Sequence, residues 1–549
     1  MPTLRVVPHV QVHAEPPAHH LMSTEQFRGP ERVGFQNPWD SWHKPSPYEV
    51  VQGLEWGERP GTDAHNVRPN LTAAVRGVFS PRSESPDLKS QAERKNALPL
   101  QVQKPDFGFD KERAKATWLG HAGALLQLPS LSGDGRPLTV LFDPIFSARC
   151  SPSQLVGPLR FFPAPCTVAD LPEIDIVVIS HNHYDHLDYH TIVSLWERFG
   201  TNVHFVVPLG NKAWFIHETV DIAPDSVTEL DWWDEATVEA GGSGSLRIVC
   251  TPAQHGSGRT TSDAGHTLWS SWMLEHTSAR DPEDVYRVFF GGDSGFRFRV
   301  GTDECCESPE AMDEKGDVGS ADESAVSTPT QVESPLATST PSPTDMRPRL
   351  SSDSLKGIPF LEKHKIPHIA KVRTLSESSA RDISPFRRRR SEDKATVYPA
   401  CPAFAEIAAK LGAPDMLMLP VSVGATYAFL KSFDLLPDWI SPIPRLSDGL
   451  TGANHMSASD AVAILQIMQT QGRSNGRPPR HRPVCLAIHW GTFVEGPAEI
   501  TETIFRLETA CAQRRVAFVR AYQGVPDGPD STPAFALVNH GQSIRVVAD

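Results

Sequence analysis

Apolar positions along the 549-residue chain fall into short β-branched runs separated by stretches with a repeat near 3.6 residues. The clearest run is 174–179, apolar at every position but Asp175, which predicts a strand buried on both faces. It is followed by 189–199, where Ile192, Leu195, Trp196 and Phe199 recur at helical spacing. Segments 117–119, 124–128 and 138–142 also read as strands, the last two separated by the turn Ser132-Gly133-Asp134-Gly135. Further strands are expected at 203–207, 246–251, 286–291, 415–420 and 484–489. Helices are expected at 402–411, 457–471 and 500–514, the second carrying Ala461, Ile464, Leu465 and Met468 on one face. Strands alternating with helices predict an α/β sandwich rather than a helical bundle.

Residues 1–33 are rich in Pro, His and Glu and have no apolar period, so they read as a disordered N-terminal tail. An arm over 34–113 begins with the aromatic island Phe35-Gln36-Asn37-Pro38-Trp39-Asp40-Ser41-Trp42, expected to dock on the core because aromatic rings bury much area per residue. A short helix is expected at 71–78. The folded core occupies 114–301 and resumes over 399–549. Between them, 302–398 is dominated first by Ser, Thr, Pro, Asp and Glu, then turns basic and includes Arg387-Arg388-Arg389-Arg390. That composition buries too little apolar surface to offset its ordering entropy, so the segment reads as a long disordered insertion. The arginine run reads either as a solvated charge cluster or as a contact for anionic lipid or phosphate.

Charge and composition narrow the classes. With 52 basic and 66 acidic residues the formal charge is −14, which argues against nucleic acid as the main partner. Eight cysteines without a CxxC pair fit a reducing, intracellular compartment. No apolar run reaches the roughly 18 residues needed to span a bilayer, so no transmembrane helix is expected and membrane contact would be peripheral. The first twenty residues lack a hydrophobic signal core, and a mitochondrial address is left open.

The chemistry concentrates in Ser180-His181-Asn182-His183-Tyr184-Asp185-His186-Leu187-Asp188, an H-x-H-x-D-H sequence on the turn between a buried strand and a helix. Residues two apart in an extended segment point the same way, so His181 and His183 can grip one metal ion. Past the bend, Asp185 and His186 can face a second. Further ligands are expected at the ends of later strands, where an α/β sheet gathers its ligand groups. His255, Asp293 and His489 occupy such positions.

H-x-H-x-D-H followed by a lone His, a lone Asp and a final His resembles the ligand order of the metallo-β-lactamase superfamily. Thr117 to Ala122, Asp143-Pro144-Ile145-Phe146-Ser147, Ser151-Pro152-Ser153-Gln154, Glu229-Leu230-Asp231-Trp232-Trp233 and Ile488-His489-Trp490-Gly491-Thr492-Phe493 resemble the N-acylphosphatidylethanolamine-hydrolysing phospholipase D family within it, as does the aromatic island. The resemblance implies an αββα sandwich holding two zinc ions, with manganese and iron as competitors. His181, His183 and His255 would hold one ion; Asp185, His186 and His489 the other; Asp293 would bridge. It also implies that Asp143 orients a ligand histidine from behind. His455 would lie at the substrate phosphate, with Tyr184 and Gln154 lining the pocket. Asp185, Asp293 and His455 would carry the catalytic roles. The implied substrate is a phospholipid in a membrane surface, cleaved to an N-acylethanolamine and a phosphatidic acid by a chain that acts peripherally and forms a homodimer in some members. This sequence departs from the family at Gly256, where a tryptophan is typical, and at Leu155, where an aromatic residue is. The same ligands also serve hydrolases of lactones, thioesters and other phosphodiesters, and a membrane-associated scaffold would have lost at least one of the seven.

Overall fold

A computed structural model describes residues 4–23, 31–55, 99–109, 114–131, 136–155, 157–239, 244–260, 262–277, 285–300, 398–423, 445–494, 496–520 and 532–545. The turn expected at 132–135, the helix at 71–78 and residues 302–397 of the insertion lie outside the described residues. Contacts divide the chain into Met1–Glu307 with Thr396–Asp549, and Ser308–Ala395. All described residues belong to the first unit.

Two sheets carry the architecture. One has nine strands in the order β1 (Arg5–His9), β11 (Glu235–Glu239), β12 (Ser245–Thr251), β13 (Ser271–Thr277), β14 (Val285–Phe290), β15 (Met416–Pro420), β17 (Val484–Ile488), β19 (Ala534–Leu537) and β18 (Ala517–Arg520). The other has seven, in the order β10 (Val227–Leu230), β9 (His204–Pro208), β8 (Ile176–Val178), β7 (Leu138–Phe142), β6 (Gly123–Leu128), β5 (Lys115–Gly120) and β20 (Ser543–Arg545). Two short pairs complete the set, β2 (His20–Met22) with β3 (Arg32–Phe35) and β4 (Leu54–Glu55) with β16 (Arg445–Leu446).

Side-chain alternation along β8 and β9 shows why these runs are apolar throughout. Ile176, Val178 and Val206 enter the core between the sheets, whereas Val177, Ile179, Phe205 and Val207 pack outward against Ile192 and Leu195 of the helix Tyr189–Phe199. Phe142 of β7 stacks on Phe290 of β14 with ring centroids 4.6 Å apart, joining the two sheets. Behind the nine-stranded sheet, Phe404 of the helix Ala403–Leu411 meets Phe289 edge-on, and Ala461, Ile464, Leu465 and Met468 of the helix Ala458–Ser474 are buried. The layers therefore run helix, sheet, sheet, helix, the αββα sandwich. Ser457 caps the Ala458–Ser474 helix through a capping box with Asp460, and Arg299 donates to Asp460 at 2.7 Å.

The N-terminal segment corrects the sequence reading. Residues 1–33 were expected to be a disordered tail; instead Arg5–His9 pairs antiparallel with β11, and His20–Met22 pairs with β3. Backbone pairing along a sheet edge needs no apolar period, and Pro8, which lacks an N–H, is tolerated on an edge strand. Strands β10, β11, β13, β18, β19 and β20 also went unread, β11 because only Ala236 and Val238 of its five residues face the core.

His204 on β9 offers a check on this packing. Burial, reinforced by the charge of Lys212, lowers its pKa from 6.5 to about 4, and its Nε2 shares a 2.8 Å hydrogen bond with the Thr228 hydroxyl. Below pH 6.5 the unfolded chain takes up a proton that the folded chain refuses until pH falls to about 4. Stability is therefore expected to fall as pH drops through that window and to be insensitive to this group above it. The urea midpoint of a His204→Gln variant should decline less steeply over the same range.

Candidate metal centre

In the seven-stranded sheet, β5, β7 and β8 run the same way and end at His121, Asp143 and the His181 turn. In the other sheet β12, β14, β15 and β17 run the same way and lead to His255, Asp293, Ser422 and His489. The side chains that follow these strand ends meet.

His181 Nε2 lies 2.8 Å from His183 Nδ1, which lies 3.3 Å from His255 Nε2. Asp185, His186 and His489 converge beside them, with His186 Nε2 3.3 Å from His489 Nε2. Asp293 stands between the groups. Its Oδ2 is 3.0 Å from His186 Nε2, 3.9 Å from His181 Nε2 and 3.8 Å from His255 Nε2, while its Oδ1 is 2.8 Å from His489 Nε2.

The outer nitrogens of these rings decide what the inner ones can do. His186 Nδ1 donates to Asp143 Oδ2 at 2.7 Å, His255 Nδ1 to the Asn454 carbonyl at 2.9 Å, and His489 Nδ1 to the Ser422 carbonyl at 3.0 Å. The Ser180 hydroxyl donates to Asp143 Oδ2 at 2.5 Å, so its oxygen accepts from His181 Nδ1 at 2.8 Å. Every acceptor here is a carboxylate, a carbonyl or an already donating hydroxyl, which fixes the proton on Nδ1 and leaves a lone pair on each Nε2. Lone pairs on His186 and His489 then face each other and the Asp293 carboxylate inside a buried site. Only positive charge satisfies that arrangement. Burial opposes protonation of His186, yet Asp293, Asp185 and Asp143 outweigh it and push its pKa well above 6.5; burial pushes His181 and His255 well below. The donor set, all imidazole and carboxylate, suits zinc without requiring it.

Surrounding contacts hold the candidate ligands. Asp188, at the N-cap position of the following helix, accepts from the Ser147 hydroxyl at 2.9 Å and the Thr191 hydroxyl at 2.5 Å. Arg259 donates to the carbonyls of Asn182 and Leu187 and lies 4.6 Å from the Tyr184 ring, clamping the loop from behind. Asn37, from the aromatic island, donates to the His255 carbonyl at 2.7 Å and accepts from the His255 N–H at 3.2 Å.

Of the remaining expected residues, His455 is buried beside the centre, its Nδ1 3.8 Å from Asp293 Oδ2 and its ring 5.0 Å from that of His255. Burial lowers its pKa to about 4. Tyr184 is half-buried against Ile145, Cys150 and Phe493. Gln154 is exposed, and its amide closes its own loop by accepting from the Arg149 N–H and donating to the Arg149 carbonyl. One residue went unassigned from sequence: His121, fully buried, with Nε2 3.0 Å from Asp185 Oδ2. Its place directly after strand β5 is the same signal that marked the other ligands.

The strand-end histidines and aspartates of this αββα sandwich define the class of metallo-β-lactamase-fold hydrolases with a binuclear metal site. The Beta-lactamase superfamily domain matches residues 139–304. An uncharacterized protein of Mycobacterium tuberculosis is 40% identical over 201 residues, 36% of this chain and 48% of that protein, so the match spans about half the relative's length. The N-acyl-phosphatidylethanolamine-hydrolyzing phospholipase D 1 of Caenorhabditis elegans is 30% identical over 279 residues, 50% of this chain and 68% of that one. The mitochondrial N-acyl-phosphatidylethanolamine-hydrolyzing phospholipase D of Saccharomyces cerevisiae is 33% identical over 159 residues, 29% of this chain and 31% of that one. The chain belongs to the N-acylphosphatidylethanolamine-hydrolysing phospholipase D family of the metallo-β-lactamase superfamily.

Gly295 tests how the centre is held. A Cβ there would lie 2.0 Å from the Ala453 carbonyl oxygen, in the turn that carries Asn454 and His455. Gly295→Ala is expected to cost roughly 1–3 kcal/mol by overpacking. It should also weaken metal retention, because the Asn454 carbonyl that orients His255 must move. Denaturant unfolding and metal content after dialysis check both.

Proposed function

We propose that the chain is a dinuclear, zinc-dependent phosphodiesterase that hydrolyses N-acylphosphatidylethanolamine to an N-acylethanolamine and a phosphatidic acid. The observation that supports it most directly is the convergence of His181, His183, His255, Asp185, His186, His489 and Asp293 with four imidazole tautomers fixed from outside. Family membership supports the choice of substrate. When bound, a pair of divalent cations supplies a nucleophile from water near neutral pH and offsets charge on the phosphate.

The protein's own groups do the rest. Asp143 and Ser180 keep His181 and His186 in the ligand tautomer. His121 holds one oxygen of Asp185, leaving that carboxylate a single orientation. His455, kept neutral by burial, offers an imidazole N–H to a phosphate oxygen as charge builds there. Tyr184, stiffened by Arg259, and Gln154 would border the bound substrate. Water oxygen adds to phosphorus and the P–O bond on the ethanolamide side breaks, the proton passing from water to the leaving oxygen. Asp185 and Asp293 fix the reacting geometry. Among the described residues no helix is long and apolar enough to cross a membrane, and we propose peripheral attachment, intracellular and mitochondrial as in the name of the yeast relative, with a homodimer as the working form.

Purified full-length protein is expected to hold about two zinc equivalents at this centre and to release N-acylethanolamine from vesicles containing the lipid. His183→Ala should lose metal and turnover together, and Asp143→Asn should lose about 10–100-fold in metal affinity or activity. Turnover of a lactone or thioester, with the lipid left intact, would overturn the substrate; full lipid turnover by His183→Ala would overturn the metal mechanism.

A further inference from the structure

A second cluster of ligand-type side chains lies away from the dinuclear centre and plays no part in the chemistry above. His19 Nε2 is 2.7 Å from Asp231 Oδ1, and His20 Nε2 is 2.6 Å from Asp231 Oδ2. The three donor atoms lie within 4.8 Å of one another, and all three side chains are largely buried. Asp231 follows β10, at the same end of the seven-stranded sheet as the His181 turn, and the two histidines arrive from a segment more than 200 residues earlier.

We propose that His19, His20 and Asp231 form a third, structural zinc site that clasps the N-terminal segment onto the core.

The simplest competing account is a hydrogen-bonded clasp, with two imidazoles donating to one carboxylate. The surroundings favour a cation. The cluster opens on a cavity of about 500 Å³ whose lining includes Glu15, Glu229, Asp231 and Asp234 against the single guanidinium of Arg32. Backbone N–H groups of Gln11, Gly210, Lys212 and Trp232 hold these carboxylates in place, and their charge outweighs that of Arg32, so the lining attracts a divalent ion. Coordination asks the donor pairs to open from 2.6–2.7 Å to the ~3.3 Å of a tetrahedral site with bonds near 2.0 Å. The cavity side supplies the fourth position, to water or to Glu15. The first twenty residues also hold four histidines, at 9, 13, 19 and 20, a composition suited to capturing metal.

The clasp has a route to the catalytic centre. Trp232, next to Asp231, stacks on His19 at 4.3 Å and on Trp39 at 5.4 Å, and Trp39 shares its segment with Asn37, which pins the His255 backbone. Metal at the clasp would hold that segment in place without touching substrate.

The test counts zinc in full-length protein after zinc loading and desalting, so it does not depend on which reaction the dinuclear centre performs. Glutamine can still donate a hydrogen bond to Asp231 but is a poor zinc ligand, so the His19→Gln/His20→Gln double variant keeps a hydrogen-bonded clasp and loses a metal one. The wild type is expected to hold about three equivalents and the variant about two. Equal zinc in both would overturn the proposal. Should the variant fail to fold, crystals of the zinc-loaded wild type decide by anomalous scattering at the zinc edge. A peak about 2 Å from His19, His20 and Asp231 supports the site, and peaks at the dinuclear centre alone would overturn it.

Discussion

Two imidazole Nε2 atoms held 3.3 Å apart in a buried pocket need a proton or a metal cation between them, and much of this fold keeps His186 and His489 in that position. The buried Asp143 carboxylate is the hub. It accepts from the Ser180 N–H, the Ser180 hydroxyl and His186 Nδ1, and through Ser180 it also fixes His181. Burial raises its pKa, an effect opposed by His186 and the donors around it. A carboxylate placed this deep is tolerated only because each oxygen has hydrogen-bond donors, and those donors belong to or orient the candidate metal ligands.

Backbone strain gathers at the same place. His121, Asp143 and His489 all adopt positive φ, at 52°, 35° and 62°. Each is the first residue after a strand. A left-handed residue there turns the chain sharply, so that a ligand or its supporter faces the rim instead of continuing the pleat. Hydrogen bonds over-determine these turns: the His121 N–H donates to Thr492 Oγ1, and its carbonyl accepts from the Trp118 indole and the His489 N–H. Gly292, at φ 55°, serves the same purpose before Asp293, where a Cβ would come within 2.9 Å of the Ser180 side chain.

The N-terminal segment extends this support. An edge strand, a carboxylate shared by two histidines and a row of stacked aromatic rings carry it across the sheet end to the backbone of His255. A ligand that follows a strand by four residues, as His255 follows Thr251, has less inherent rigidity than one at the strand end. The contact from Asn37 supplies what the loop lacks.

Local sequence determined the strands whose faces are both buried, since Ile176, Val177 and Val178 need no partner to reveal themselves. It likewise determined the helix beginning at Tyr189 and the crowded H-x-H-x-D-H turn, whose chemistry is contiguous. Position after apolar strands extended this to His255, Asp293 and His489, and the family's ligand order agreed with it. Only the tertiary structure decided which nitrogen of each histidine faces inward, because that depends on acceptors such as Ser422 and Asn454 that lie far away in the chain. The same holds for His121, whose strand-end position marks it as a candidate without naming Asp185 as its partner, and for residues 5–22, whose order comes from backbone pairing and from Asp231. Apolar periodicity records burial against a core; it does not record hydrogen bonds made across hundreds of residues.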